Sequence, residues 1–132
     1  DVNRGTFYHY YRDVFDLYEK LEDDFLCAVR AILSAPEEDM SALLALMEEN
    51  RALLRPGRNA ERIREGVLPA LTDRLHARRP DAAGQDLRLM GEYMLGGCAR
   101  LCEMWLAGDL DRMHLLSALQ AFAESTLCLH KN

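Results

Sequence analysis

The side chains best suited to chemistry lie within the first twelve residues. They carry amide, guanidinium, hydroxyl and imidazole groups at short spacing: Asn3, Arg4, Thr6, Tyr8, His9, Tyr10 and Arg12. Hydroxyl and guanidinium donors suit phosphate oxygens, and a helix N-terminus adds N–H donors for an anion. The spacing is compatible with a nucleic-acid contact in the major groove. It is equally compatible with an ordinary amphipathic helix whose aromatic side chains pack on a core.

Residues 3–17 add a family resemblance. The string Gly-Thr-Phe-Tyr-His-Tyr, followed by a basic turn and Leu17, closely resembles the recognition helix of the tetracycline-repressor (TetR) family. The resemblance is close over residues 2–17, and elsewhere it extends only to helix order and length. It implies an all-α, TetR-like helical ligand-binding and dimerisation domain with a remnant of the helix-turn-helix at its start. The implied function is DNA-binding transcriptional regulation, by a repressor that a small-molecule effector releases.

Individual residues follow the family pattern with two departures. Thr6 and Tyr8 match phosphate-contacting positions, and His9 matches the variable position that reads bases or contacts phosphate. Tyr10 stands where the family usually has His, and it can still donate a hydroxyl. Val14 stands where the family usually has a phosphate-contacting Lys, and it cannot replace that contact.

The charge of the chain is distributed unevenly. The formal net charge is -6, and Asp1 against Arg4 and Arg12 gives about +1 over residues 1–12, which leaves about -7 for the remainder. An acidic body does not attract a phosphate backbone, so any DNA contact must come from the N-terminal end. We expect the first part of the helix-turn-helix to be missing before Asp1. Operator DNA is therefore the expected partner of the full-length protein only, and this chain alone should not bind specific DNA.

The hydrophobic pattern predicts helices throughout, because apolar residues recur at spacings of three and four and no alternating runs occur. The predicted helices span about 4–11, 13–34, 37–54, 60–78, 84–107 and 110–129. Ser34 and Glu37 have capping-box spacing for the third helix. Pro69 should kink the fourth helix or split it after Gly66. We divide the chain into residues 1–12, the remnant of the DNA-binding domain, and residues 13–132, the effector-binding and dimerisation domain.

The last two predicted helices carry wide apolar bands with small residues among them. Left uncovered, such bands would form a large exposed patch on a monomer. A two-fold partner that contributes the same two helices would bury them in a four-helix bundle. The predicted homodimer interface comprises Leu101, Leu116, Leu119, Phe122 and Ala123.

An effector cavity is predicted inside the helical body. Gly91, Gly96 and Gly97 are unfavourable within a helix, so they indicate either close helix approach or room for a bound molecule. The predicted pocket lining is soft and aromatic: Phe25, Met40, Met47, Tyr93, Met94, Gly97 and Trp105. No carboxylate or Arg falls clearly on the inward faces, so a small, mostly apolar effector is expected. The alternative is a structural helical dimerisation module with a Met-rich core and no effector site.

Other functional classes receive little support from the sequence. It contains no nucleophile elbow, phosphate loop or dinucleotide fingerprint, so we expect no enzyme and no cofactor. Cys98 and Cys102 share a helical face, but two thiolates are too few for a closed zinc site, and buried reduced thiols are the simpler interpretation. No metal site is predicted. The absence of a leader or an apolar span of about 20 residues leads us to expect a cytoplasmic protein without a membrane partner.

Overall fold

The computed structural model describes residues 11–37, 39–54 and 59–128, with side chains through Ser125. Five helices and no strands occur within these ranges, which confirms the all-α class. The helices are α1 (Val14–Ser34), α2 (Met40–Glu49), α3 (Ala60–Arg78), α4 (Gly84–Leu106) and α5 (Arg112–Cys128). The predicted recognition helix over 4–11 falls outside the described residues, apart from Tyr11.

Helix α1 matches its predicted bounds because both ends have local signals. The side chain of Asp13 accepts a hydrogen bond from the backbone N–H of Asp16 at 2.8 Å, so it satisfies one of the free donors of the first turn. The helix ends at Ser34, two residues before Pro36, which cannot continue it.

Helix α2 is shorter at both ends than the predicted span of 37–54. Its cap is Asp39 rather than Ser34, and the Asp39 carboxylate accepts from the N–H of Ala42 at 2.9 Å. At the other end, the side-chain amide of Asn50 donates to the carbonyl of Leu46 at 2.8 Å and competes with the helical ladder. The turn that follows brings Leu53 into the core, where it is buried.

Three groups of buried side chains hold the helices together. The first joins α1 to α3 and comprises Phe25, Leu26, Val29, Leu53 and Val67. The second joins α2, α4 and α5 and comprises Leu44, Cys102, Trp105, Leu115 and Leu119. The third joins α3 to α4 and comprises Leu75, Leu87 and Met90. Each helix thus buries one apolar stripe against its neighbours, as an amphipathic helix requires.

Helix α3 runs unbroken through Gly66 and Pro69, so the predicted split does not occur. Gly66 instead lies where α3 and α1 approach each other closely. A Cβ atom added there would lie 2.8 Å from Cδ1 and 2.9 Å from Cδ2 of Leu26. Gly91 lies at a similar but less tight contact between α4 and α3, where an added Cβ would lie 3.3 Å from Cδ1 of Leu68.

Polar contacts fasten α1 to α3 on either side of Gly66. Arg62 pairs with Glu22 at 3.0 Å and with Asp23 at 2.7 Å. Near the far end of both helices, Nη1 of Arg74 donates to the carbonyls of Leu33 at 2.6 Å and Ala35 at 2.8 Å. Because charge-assisted hydrogen bonds are the stronger kind, these contacts reinforce the packing of α1 on α3.

None of the helices described above is both long enough and apolar enough to cross a membrane.

Candidate functional site

A cleft of about 250 Å³ opens between the end of α2, the start of α3 and the middle of α4. Its wall is mainly apolar and includes Met47, Leu54, Ile63, Leu95, Cys102 and Leu106. Gly96 also borders it, and a Cβ added there would meet nothing within 4 Å. This glycine therefore leaves open space, in contrast to Gly66 and Gly91, which permit helix contact.

Charged side chains also line the cleft, contrary to the prediction that no carboxylate or Arg faces inward. Arg64 reaches two helices, because it pairs with Glu61 on its own helix and with Glu92 on α4, the latter at 2.8 Å. Hydrogen bonds from Arg64 hold the pKa of Glu61 below its ordinary value, and the two carboxylates raise the pKa of Arg64. Glu61 and Arg64 are therefore both charged at neutral pH. Glu103 adds a third carboxylate.

A larger groove of about 750 Å³ lies between α4 and α5. Two aromatic side chains stand out from it, since Tyr93 is 77% exposed and Phe122 is 57% exposed. Glu92 and Gly96 border both the groove and the cleft, so one stretch of α4 forms a shared wall between them. A shift of this stretch of α4 would therefore alter the cleft and the groove together.

The structure does not gather the seven predicted effector-pocket residues in one cavity. Met40, Tyr93, Met94 and Gly97 line the groove, and Met47 lines the cleft. Phe25 is buried between α1 and α3, and Trp105 is buried in the group that joins α2, α4 and α5. A smaller cavity of about 60 Å³ remains between the helices, and Met40 and Met94 are among the residues that line it.

Four of the five predicted interface residues, Leu101, Leu119, Phe122 and Ala123, line the groove, and Leu116 packs beside it on the α2–α4–α5 core. Their exposure differs sharply. Leu119 and Ala123 are buried within the single chain, whereas Phe122 is exposed. A charge at Leu119 would therefore disturb the fold of the subunit itself, so Phe122 is the better probe of a subunit contact.

Of the residues predicted to contact DNA, the structure describes only Arg12. Its side chain is 87% exposed and lies 3.6 Å from the carboxylate of Asp16. Asn3, Arg4, Thr6, Tyr8, His9 and Tyr10 lie outside the described residues.

The cysteines of α4 are unsuited to ligation in this structure. Burial raises the pKa of Cys98, and burial together with its neighbour Cys98 raises the pKa of Cys102 to about 12. Both are therefore thiols at neutral pH, and thiols are poor nucleophiles and ligands. Within residues 11–37, 39–54 and 59–128, no group of three or more His, Cys, Asp or Glu side chains is placed to hold a metal ion.

Sequence reasoning missed the Arg64–Glu92 pair and most of the cleft lining. Glu61 and Arg64 share a helical face at a spacing of three, and that signal was available. The contact with Glu92 spans 28 positions and depends on how α3 crosses α4, which one sequence does not specify. No protein-family model, curated protein or solved structure matches the chain.

Proposed function

We propose that this chain is the helical body of a TetR-like transcriptional regulator. In this proposal, residues 3–12 contact operator DNA, and a small molecule in the cleft changes the position of that segment through α1. The chain acts as a homodimer through α4 and α5, and the bound effector releases the repressor from DNA. The support comes from the resemblance over residues 2–17 and from the placement of the cleft relative to α1.

One observation carries the proposal: the first two turns of α3 line the cleft and also contact α1. Glu61, Ile63 and Arg64 line the cleft, while Arg62 between them pairs with Glu22 and Asp23 of α1. A molecule that moves the start of α3 must therefore move α1 as well. It can shift the regulator between two states only by its different affinity for them.

The groove supports the dimer. Tyr93, Phe122 and the apolar side chains around them would lose water contact against a second copy of the same surface. An obligate interface of this kind buries roughly 2,000 Å² or more in total.

The alternative function, a structural dimerisation module without an effector, is favoured by one observation. The cavity between the helices where the effector was expected is only about 60 Å³, Phe25 and Trp105 are buried in the core, and the groove is larger than the cleft. Under this alternative the groove forms the dimer interface and the cleft binds no effector.

The first test is DNA selection with the protein expressed from its complete reading frame. The expected result is enrichment of one two-fold symmetric sequence from a random pool. Thr6→Ala or Tyr8→Phe should weaken binding to it, while Glu124→Gln on α5 serves as the control. Failure to enrich any sequence at moderate salt would contradict the regulator and favour the structural module.

The second test concerns the dimer. Phe122→Asp should yield monomers in light scattering at micromolar concentration. Leu89→Asp is the matched control, because Leu89 is also a large exposed apolar side chain of the terminal pair, at 62%, but it does not line the groove. If the unmodified chain is itself monomeric, the dimer proposal is wrong.

A further inference from the structure

We infer that the cleft binds an amphiphilic organic cation, a compact apolar body with one ammonium group that Glu92 receives. The inference deepens the proposed function and rests on it only for the consequence of binding, since the chemistry of the cleft stands by itself. It also replaces the mostly apolar effector that the sequence predicts.

The charge around the cleft favours a cation. Its lining contains three carboxylates, Glu61, Glu92 and Glu103, against the single guanidinium of Arg64. Arg100 stands outside the cleft and lies 3.5 Å from Glu103, so one negative charge remains in excess even when it is counted. An excess of one charge beside an apolar wall suits a monovalent cation better than a neutral or multivalent ligand.

The hydrogen bonds of Arg64 disfavour an anion. Its Nε and Nη2 donate to the two oxygens of Glu61, and its Nη1 donates to Glu92 at 2.8 Å. The guanidinium is thus held in a fork between two carboxylates, and an anion that approached it would face both of them. The positive end of the α3 helix dipole is likewise met by Glu61, which stands in the first turn.

Of the two carboxylates that Arg64 contacts, Glu92 is the one placed to receive the ligand. Glu61 is committed to Arg64 through both oxygens, whereas Glu92 accepts from Arg64 through Oε1. The Glu92 side chain is 35% exposed, so water can still reach it. The apolar body would lie against Ile63, Leu95 and Leu106, in a volume of about 250 Å³ that corresponds to roughly eight water molecules.

The test uses three probes with one apolar body and different heads: 4-phenylbutylamine, 4-phenylbutan-1-ol and 4-phenylbutyrate. Affinities are measured by NMR titration of the 132-residue chain at neutral pH. The amine should bind at least fivefold more tightly than the alcohol, and the carboxylate should bind more weakly than either. Glu92→Gln should weaken the amine about fivefold, the scale of a partly exposed ion pair, and change the alcohol less than twofold.

Two further variants make the result specific. Glu124→Gln removes one carboxylate from the exposed surface of α5 and should leave all three affinities unchanged. Ala99→Leu fills the cleft from α4 and should abolish binding of amine and alcohol alike, with an unchanged circular dichroism spectrum. Equal binding of amine and alcohol, tighter binding of the carboxylate, indifference to Glu92→Gln, or no binding of any probe would each overturn the inference.

Failure here and failure of the proposed function can be told apart. The titration contains no DNA, so amine binding that depends on Glu92 in a protein that selects no DNA sequence would retain the cleft assignment and reject the regulator. Sequence-specific DNA binding without amine binding would do the opposite.

Discussion

Replacement of Gly66 by Ala gives the sharpest test of how α1 and α3 pack. A Cβ at this position would lie 2.8 and 2.9 Å from the two methyl groups of Leu26, which is 4% exposed. Overpacking a filled core costs about 1–3 kcal/mol. Ala gains about 1 kcal/mol over Gly in a helix interior. The net expectation for Gly66→Ala is a loss of about 1 kcal/mol in the free energy of unfolding.

Gly97→Ala is the matched comparison. This glycine is also inside a helix, but an added Cβ would meet nothing within 4 Å, so only the helix propensity remains. The variant should gain about 0.5–1 kcal/mol. Gly91→Ala should fall between the two, because its nearest neighbour would lie at 3.3 Å. The two extreme variants should therefore differ by about 2 kcal/mol.

The measurement is urea unfolding followed by circular dichroism, with equal denaturant slopes as the check for comparable states. Leu26→Ala in the Gly66→Ala background supplies a cycle, since removal of the two methyl groups should make the effects of the two substitutions strongly non-additive. If Gly66→Ala stabilises the chain as much as Gly97→Ala does, the close approach of α1 and α3 is not what requires glycine.

Three other expectations follow from the contacts. Asp81→Asn should lower the urea midpoint at pH 7, and the effect should shrink as the pH is lowered: hydrogen bonds from buried Arg79 hold the pKa of Asp81 below its ordinary value, so its stabilisation is complete at neutral pH and disappears as the pH falls through that lowered pKa. Arg74→Met should lower the free energy of unfolding by about 1–3 kcal/mol and speed amide hydrogen exchange at the end of α1, because two carbonyls lose a charged donor. A thiol reagent at pH 8 should modify exposed Cys27 in the native chain and reach Cys102 only after denaturation, as peptide mapping would show, because burial raises the pKa of Cys102 to about 12.

The features that the sequence predicted most accurately are those that depend on residues close together in the chain, such as the two ends of α1. The start of α1 follows from the Asp13 cap and its end from Pro36, so both bounds were within reach. The end of α2 was not, because it depends on whether the Asn50 amide turns back to Leu46 or out to water. The predicted split of α3 near Pro69 was wrong, because α3 packs on both α1 and α4 and remains one helix through this residue.

The cleft was harder to predict because it depends on contacts between distant helices. Met and aromatic residues indicated a soft interior, yet Phe25 and Trp105 fill the core and Tyr93 stands out from it. A helical pattern tells which residues share a face but not which face meets another helix and which meets a cavity. The charged lining of the cleft was not predictable for the same reason: Arg64 and Glu92 belong to different helices, and a single sequence does not show that they meet.

The contacts between α1 and α3 also determine how far the N-terminal end of α1 moves when α1 tilts. Contacts pair Glu22 with Arg62, Leu26 with Gly66, and Leu33 with Arg74, so the two helices run in the same direction and the first two turns of α1 project beyond the start of α3. The 21 residues of α1 span about 30 Å. Pivoted at Leu33, a tilt of about 4° would carry Val14 through roughly 2 Å, about 1.7 times the displacement at Glu22. The N-terminal turns of α1 would thus move farther than the residues that contact Arg62, by a ratio that depends on where Arg62 and Arg74 contact the helix.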